Sequence, residues 1–344
     1  MENPTTLQFF PVLVFGFMAA LGLTPLSRQI AFRLGVVAIP SQRNIHQDHK
    51  PLMGGLAIVL AFALALLLFS PQRYLGELGA VLAGCALLAF IGLVDDRFDL
   101  SPWLRLGVMI TAALLPVAAG IQAHFTGSAL VDIALTVFWI VTLTNALNFL
   151  DNMDGLSAGM ASISAAAFLL IALSQGLILV SMLAAALLGS AVGFLMHNFN
   201  PASSFMGDMG AYVLGYVVAI LALKVDYWAQ PFSPYWAIPI LALALPVVDM
   251  NLAIFTRITE TGSLFTSGKH HVSHRLLALG WSQRQTLLVL YSAAILFGMQ
   301  AVVLTALTLN SAWAIVVVNG LVMAGLALGL VVLRRNQQQK AGEQ

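Results

Sequence analysis

Charge is what this sequence has least of. Asp, Glu, Lys and Arg make up only 8% of its 344 residues, where a soluble globular domain carries about a quarter. A soluble domain is therefore excluded. A basic excess is also missing. The 15 Lys and Arg against 14 Asp and Glu leave a formal net charge of +1, which argues against a nucleic-acid binder. Cysteine is nearly absent: Cys85 stands alone in an apolar run, so neither a disulfide framework nor a Cys-based zinc site is available. Strict apolar–polar alternation is lacking too, which argues against a closed β-barrel. What remains is 60% apolar side chains and a mean hydropathy of +0.93. That composition describes a polytopic membrane protein whose few charges must be explained one by one.

A transmembrane helix needs roughly 20 mostly apolar residues. About eleven such runs follow one another, at 7–26, 52–70, 76–94, 106–121, 129–147, 157–174, 177–196, 209–225, 235–256, 286–308 and 312–333. The expected fold is all-α, a single transmembrane domain over 1–335. The Gln-rich tail 336–344 is expected to be disordered. The first run has no basic segment before it and no small-residue cleavage site after it, so it is expected to be a retained helix rather than a signal peptide. With eleven spans and the N-terminus outside, every Lys and Arg except Arg73 and Lys224 falls on one face, which marks that face as cytoplasmic. Asp132 opens the fifth span on the other side as a cap or interface charge, and Trp228, Trp236 and Trp313 read as aromatic-belt anchors.

Acids and histidines gather on the basic face as well: Asp95, Asp96, Asp99, Asp151, Asp154, Asp208, Asp249, His46, His49, His197, His270, His271 and His274. The positive-inside rule predicts no such bias for them, and a reaction site on that face is the natural reading. Four constellations stand out. Gly92-Leu-Val-Asp95-Asp96-Arg97-Phe-Asp99 puts two adjacent carboxylates at a helix end. They repel each other unless a divalent cation, or Arg97 or Arg105, compensates. Asn145, Asn148, Asp151 and Asp154 recur every three residues, so one helical face would carry four polar groups. Such a stripe faces a cavity or forms a polar helix seam. Its spacing is not that of an EF-hand. Asn198-Phe-Asn-Pro-Ala-Ser-Ser-Phe205-Met-Gly207-Asp208-Met-Gly210 brackets one Asp with two glycines before a helix, either an anion site or an Asp N-cap. Lys269, His270, His271, His274 and Arg275 crowd the longest inner loop. They lack the Glu and the third ligand of a helical zinc site and suit phosphate better, or anionic lipid. A weaker fifth stretch, Arg43 to Gly55 with His46, His49 and Lys50, is also readable as a positive-inside anchor.

In this order, the motifs resemble the polyprenyl-phosphate N-acetylhexosamine-1-phosphate transferase superfamily, glycosyltransferase family 4. The Asp-Asp pair, the N-x-x-N-x-x-D-x-x-D-G-L run at Asn145–Leu156, the F-M-G-D-x-G segment at Phe205–Gly210 and the His-rich loop carry the resemblance, over about residues 20–285. The layout looks most like the branch serving O-antigen, common-antigen and teichoic-acid linkage synthesis. There are departures. Lys269 and His270 stand before His271 where many relatives carry Asp, Ser273 stands where common-antigen enzymes have His, Ala211 replaces a frequent Ser, and Arg105 a frequent Lys. They leave the reaction class intact and the sugar open.

The resemblance implies a phosphotransferase in the bacterial inner membrane, with a periplasmic N-terminus and a cytoplasmic C-terminus. It would join a UDP-N-acetylhexosamine to undecaprenyl phosphate and release UMP, with Mg²⁺ or Mn²⁺ as cofactor. Asp208, with Asp95 or Asp96, would hold the metal. Asp95, Asp96, Asp151 and Asp154 would carry the chemistry. Lys50, Asn145, Asn148, Asn198, Phe205, Gly207, His271, His274 and Arg275 would bind substrate. A lipid phosphate is already nucleophilic near neutral pH, which favours one displacement over an Asp-bound intermediate. Membrane lipid surrounds such an enzyme, nucleic acid plays no part, and a homodimer is left open. The rival from another class is a secondary transporter, which would place its acids near the bilayer midplane rather than at one face.

Overall fold

The computed structural model describes residues 9–38, 50–124, 126–225, 233–261 and 271–342. Arg43, His46, His49, Trp228, Lys269 and His270 lie outside the described residues. The chain divides into two compact units, Met1–Pro231 and Phe232–Gln344.

The first unit holds α1 (Phe10–Leu34), a two-residue antiparallel ladder of β1 (Val37–Ala38) and β2 (Lys50–Pro51), α2 (Gly54–Phe69), α3 (Leu75–Phe98), α4 (Pro102–Ala118), α5 (Ala129–Leu150), α6 (Leu156–Gln175), α7 (Ile178–Asn198) and α8 (Gly207–Lys224). The local signals are ordinary ones. Ser101 accepts the Leu104 N–H ahead of Pro102 and starts α4. Gly35 and Gly176, both left-handed, end α1 and α6. On the far side of the unit, Asp132 accepts from the N–H and hydroxyl of Thr126 and ties down the turn before α5.

α8 is the axis of this unit. Of its apolar window 89% is buried, against 28% for α1, and it packs against α2, α3, α5 and α6. Two glycines let the backbones meet. A Cβ on Gly92 of α3 would sit 2.6 Å from the Met209 Cα, and one on Gly55 of α2 would sit 2.6 Å from the Gly210 Cα. The last turn of α3 is thereby pressed against the first turn of α8. The chain before α2 is stitched to the same place. Phe205 N–H donates to Pro51 O, Gly54 N–H to Phe205 O and Gly55 N–H to Met206 O, at 2.8–2.9 Å.

The second unit holds α9 (Ala237–Ala242), α10 (Ala244–Thr261), α11 (Val272–Ala278), α12 (Gln283–Leu304) and α13 (Leu309–Gly342). Ser282 and Gln285 form a reciprocal capping box at the start of α12.

Several helices differ from the apolar runs. Among the described residues eight helices are long and apolar enough to cross a membrane, or nine if a bent pair counts as one span, so the count of eleven is not reached. The runs at 52–70 and 106–121 form the shorter apolar helices α2 and α4. The run 235–256 is not one straight helix: α9 and α10 meet at 81°. Pro246 explains the break, because it has no N–H for the Ala242 carbonyl four residues earlier and its ring crowds that carbonyl. Conversely, α1 passes through Pro25 and ends eight residues later than expected. Here the orphaned carbonyl, that of Leu21, finds the Nε2 of His197 from α7 at 3.1 Å. The Gln-rich residues 336–342, expected to be disordered, continue α13.

The contact between α3 and α8 has a direct test. Gly92→Ala should lower the stability of the purified protein by about 1–3 kcal/mol, the usual cost of overpacking, read as a drop in melting temperature in detergent. Gly107→Ala on α4, which meets nothing within 4 Å, should be neutral or gain about 0.5–1 kcal/mol of helix propensity.

Candidate active site

Asp95 and Asp96 occupy the last turn of α3, Asp208 the first turn of α8, and Asp151 the residue after α5. The carboxylates therefore cluster at helix ends, away from the helix middles. Asp95 is buried and fully engaged. Its Oδ1 accepts the Leu100 N–H at 2.8 Å. Its Oδ2 accepts from Arg105 Nη1 at 2.8 Å and from the Tyr212 hydroxyl at 3.0 Å. Asp208 Oδ1 accepts from Asn148 Nδ2 at 2.7 Å, and its Oδ2 lies 3.2 Å from the same Tyr212 hydroxyl. One hydroxyl proton thus serves two carboxylates.

Asp96 sits against the N-terminus of α8, where exposed N–H groups favour an anion. Its Oδ1 accepts the Asp208 N–H at 3.0 Å. Its Oδ2 is buried and has no hydrogen-bond partner among the described residues. Asp208 and Asp151 both lie close enough to repel its charge. Gly207 has φ +70°, and a Cβ there would overlap the Asp96 carboxylate and the Leu52 carbonyl, so this position requires glycine. Burial pushes the Asp151 carboxyl up to about 7, and the charges of Asp208 and Asp154 add to that effect.

The turn after α5 and the loop after α7 are laced together. Asn198 is buried, with its Oδ1 accepting the Gly155 N–H and its Nδ2 donating to Ser204 O, both at 3.0 Å. Asp154 Oδ2 accepts from Asn200 Nδ2 and from the Ala202 N–H. Lys50 Nζ donates to Ala202 O and lies 5.9 Å from the centre of the Phe205 ring.

Of the residues selected by sequence, Asp95, Asp96, Asn148, Gly207 and Asp208 converge, and Asp151 adds its charge to theirs. Asp154, Asn198, Lys50 and Phe205 build the adjoining loop. Asn145 does not join them, because its Nδ2 donates back to Val141 O and contacts Met109 Sδ. The expected four-residue helical stripe is corrected as well. α5 stops at Leu150, and Asp154 lies in a turn closed by left-handed Gly155. Tyr212 was missed, although it stands one turn after Asp208 on the same face.

The histidine cluster belongs to the second unit. His271 Nδ1 is 2.7 Å from Asp249 Oδ2, the Val272 N–H donates to Asp249 Oδ1 at 2.7 Å, and Arg275 Nη2 donates to Thr256 Oγ1 at 2.7 Å. The His271 and His274 rings are 6.1 Å apart. Among the described residues no three His, Cys, Asp or Glu side chains are arranged to hold a metal ion by themselves.

Fold and site define the class: a multi-pass, all-α membrane protein with a carboxylate centre where its buried helices end. Known proteins place it further. The family model described as glycosyl transferase family 4 matches residues 78–226. The chain is 34% identical over 321 residues, 90% of its length and 88% of the relative's, to a Bacillus subtilis protein named probable undecaprenyl-phosphate N-acetylglucosaminyl 1-phosphate transferase. It is 32% identical over 347 residues, covering 90% and 85%, to the decaprenyl-phosphate N-acetylglucosaminephosphotransferase of Mycobacterium tuberculosis. A Yersinia pestis undecaprenyl-phosphate alpha-N-acetylglucosaminyl 1-phosphate transferase is 26% identical over 316 residues, covering 88% and 86%. The chain belongs to glycosyl transferase family 4, and it is an enzyme of the polyprenyl-phosphate sugar-phosphate transferase class in a bacterial membrane.

Asn198 separates a loop tie from a substrate contact. Asn198→Ala strips partners from a buried N–H and a buried carbonyl, at about 1–3 kcal/mol each. The melting temperature should fall, while the folded fraction keeps its KM for the sugar-phosphate donor within about threefold. A large KM change with unchanged melting would show direct contact instead.

Proposed function

We propose that the protein transfers N-acetylglucosamine 1-phosphate from UDP-N-acetylglucosamine to undecaprenyl phosphate at the cytoplasmic face of the inner membrane. A phosphate oxygen of the lipid attacks the sugar-bearing phosphorus, the diphosphate P–O bond breaks, and UMP leaves. The names of the relatives support the substrates. The observation that carries the reading is the carboxylate centre of Asp96, Asp151 and Asp208, with Asp96 Oδ2 unpaired among the described residues.

Those groups suit a divalent cation, Mg²⁺ or Mn²⁺. Hard carboxylate oxygens are the usual ligands, and Mg²⁺ takes only one or two from protein and the rest from water and phosphate. A buried carboxylate with an orphaned oxygen, and a neighbour whose ionisation is suppressed by burial and by like charge, both lack a counter-charge. Asp96 and Asp208 would hold the cation, which when bound neutralises the diphosphate oxygens during transfer. Asp95 is already taken by Arg105, Leu100 and Tyr212, and it steadies the Asp208 side chain through the shared hydroxyl. Asp151 adds negative charge beside the same centre. Asp154 and Asn198 fix the loop that carries Phe205, and Lys50 and Phe205 bind the donor. His271, His274 and Arg275 bind the diphosphate. Alignment of the relatives over 90% of the chain spans both units, which supports one catalytic domain over 1–335. The product is the first lipid-linked intermediate of an O-antigen, common-antigen, teichoic-acid or capsule-type polysaccharide.

The test is UMP release by purified protein. It should require both UDP-N-acetylglucosamine and undecaprenyl phosphate, stop with EDTA and return with Mg²⁺ or Mn²⁺. Asp208→Asn should insert normally and lose about a hundredfold or more in turnover, about 2.7 kcal/mol of barrier. Full turnover in that variant, or release without the lipid, would overturn the reading.

A further inference from the structure

Asp249 lies on no motif that points to phosphoryl transfer, yet both of its carboxylate oxygens are engaged within the second unit. It is 2% exposed and its partner His271 is 5% exposed. A buried carboxylate is costly by several kcal/mol unless paired and hydrogen-bonded. Both of its oxygens are used on one short piece of chain. Oδ2 meets the His271 ring nitrogen Nδ1, and Oδ1 takes the backbone N–H of Val272, each at 2.7 Å. An ionised carboxylate only accepts hydrogen bonds, so Nδ1 must carry a proton. The second contact pins the backbone beside the ring, so position and tautomer are set by a single side chain. That side chain stands on α10, a helix of 18 residues, and the ring stands 22 residues further on at the N-cap of α11. Arg257, two turns along α10 from Asp249, attracts the same carboxylate, and Arg275 is anchored to α10 through Thr256.

We propose that Asp249 is a positioning residue for the reaction: it accepts the Nδ1 proton of His271, so that Nε2, carrying the ring's second proton, is the nitrogen that donates to a substrate phosphate oxygen. The proposal rests on the reading of His271 as a diphosphate-binding group. Carboxylates that fix imidazole tautomers act in this way at metal and nucleophile sites, where their loss leaves the ring present but misdirected. Asp249 never touches substrate in this account.

The experiment is a double-mutant cycle with Asp249→Asn, His271→Gln and the double variant, together with Asp249→Glu and ¹⁵N NMR of the histidine rings. Asn is the same size but puts a donating NH2 where one of the two accepting oxygens stands. Asp249→Asn should slow kcat about tenfold or more with little change in KM for UDP-N-acetylglucosamine. Asp249→Glu should recover part of that loss. The double variant should be no slower than His271→Gln within about twofold, because the second change removes a group that acts only through the first. The His271 signal should report a proton on Nδ1 in the parent protein and lose that state in Asp249→Asn. If His271→Gln is slow while Asp249→Asn is near normal, or if the two losses multiply, Asp249 does not act through His271 and the proposal fails alone. If His271→Gln is itself near normal, the diphosphate reading of His271 falls and takes the proposal with it. Should Asp249→Asn fail to insert, a parent spectrum with no proton on Nδ1 still overturns the proposal, and an Nδ1 proton retained in a partly active Asp249→Glu upholds it.

Discussion

Packing carboxylates together where apolar helices end is the constraint on which the first unit turns. Each buried ion costs several kcal/mol in the absence of compensation. The compensation visible is partial: Arg105 for Asp95, Asn148 for Asp208, one Tyr212 hydroxyl for two acceptors, and the first N–H groups of α8 for Asp96. Asp96 Oδ2 and the displaced Asp151 carboxyl are what remains uncompensated. A centre of that kind is poor engineering for stability and good engineering for a cation and a diphosphate, because preorganised charge is what phosphoryl transfer requires.

The rest of the unit holds those groups in place. Gly92 and Gly55 let α2, α3 and α8 approach to backbone contact. The backbone bonds between 51–55 and 205–206 fasten the start of α8 to the start of α2. Asn198 and Asp154 brace the intervening loop from the side of α5. Small residues and backbone hydrogen bonds, which carry little rotamer freedom, position the longer polar side chains.

Much of this was legible in sequence, because hydropathy reports burial in lipid and spacing reports shared faces. The helices and the carboxylate motifs followed from those two facts. The misses have physical causes. Hydropathy averages over a window, so Pro246 hardly lowers it although it breaks the span. Pro25 should have ended α1, and it does not because His197 arrives from another helix to take the freed carbonyl. Asn145 keeps the period of Asn148, but its side chain turns back on its own helix, and rotamers leave no trace in spacing. Asp249 finds its partner 22 residues away. Tyr212, at i+4 from Asp208, was readable by the same rule that selected the stripe.

The account stands or falls on whether the uncompensated carboxylates bind a cation. Binding of Mn²⁺ to the purified protein, followed by electron paramagnetic resonance without substrate, measures this apart from turnover. The account requires a saturable site that Asp96→Asn weakens about tenfold or more, roughly 1.4 kcal/mol, while Gly107→Ala leaves it unchanged. Equal Mn²⁺ affinity in the parent and in Asp96→Asn would contradict it.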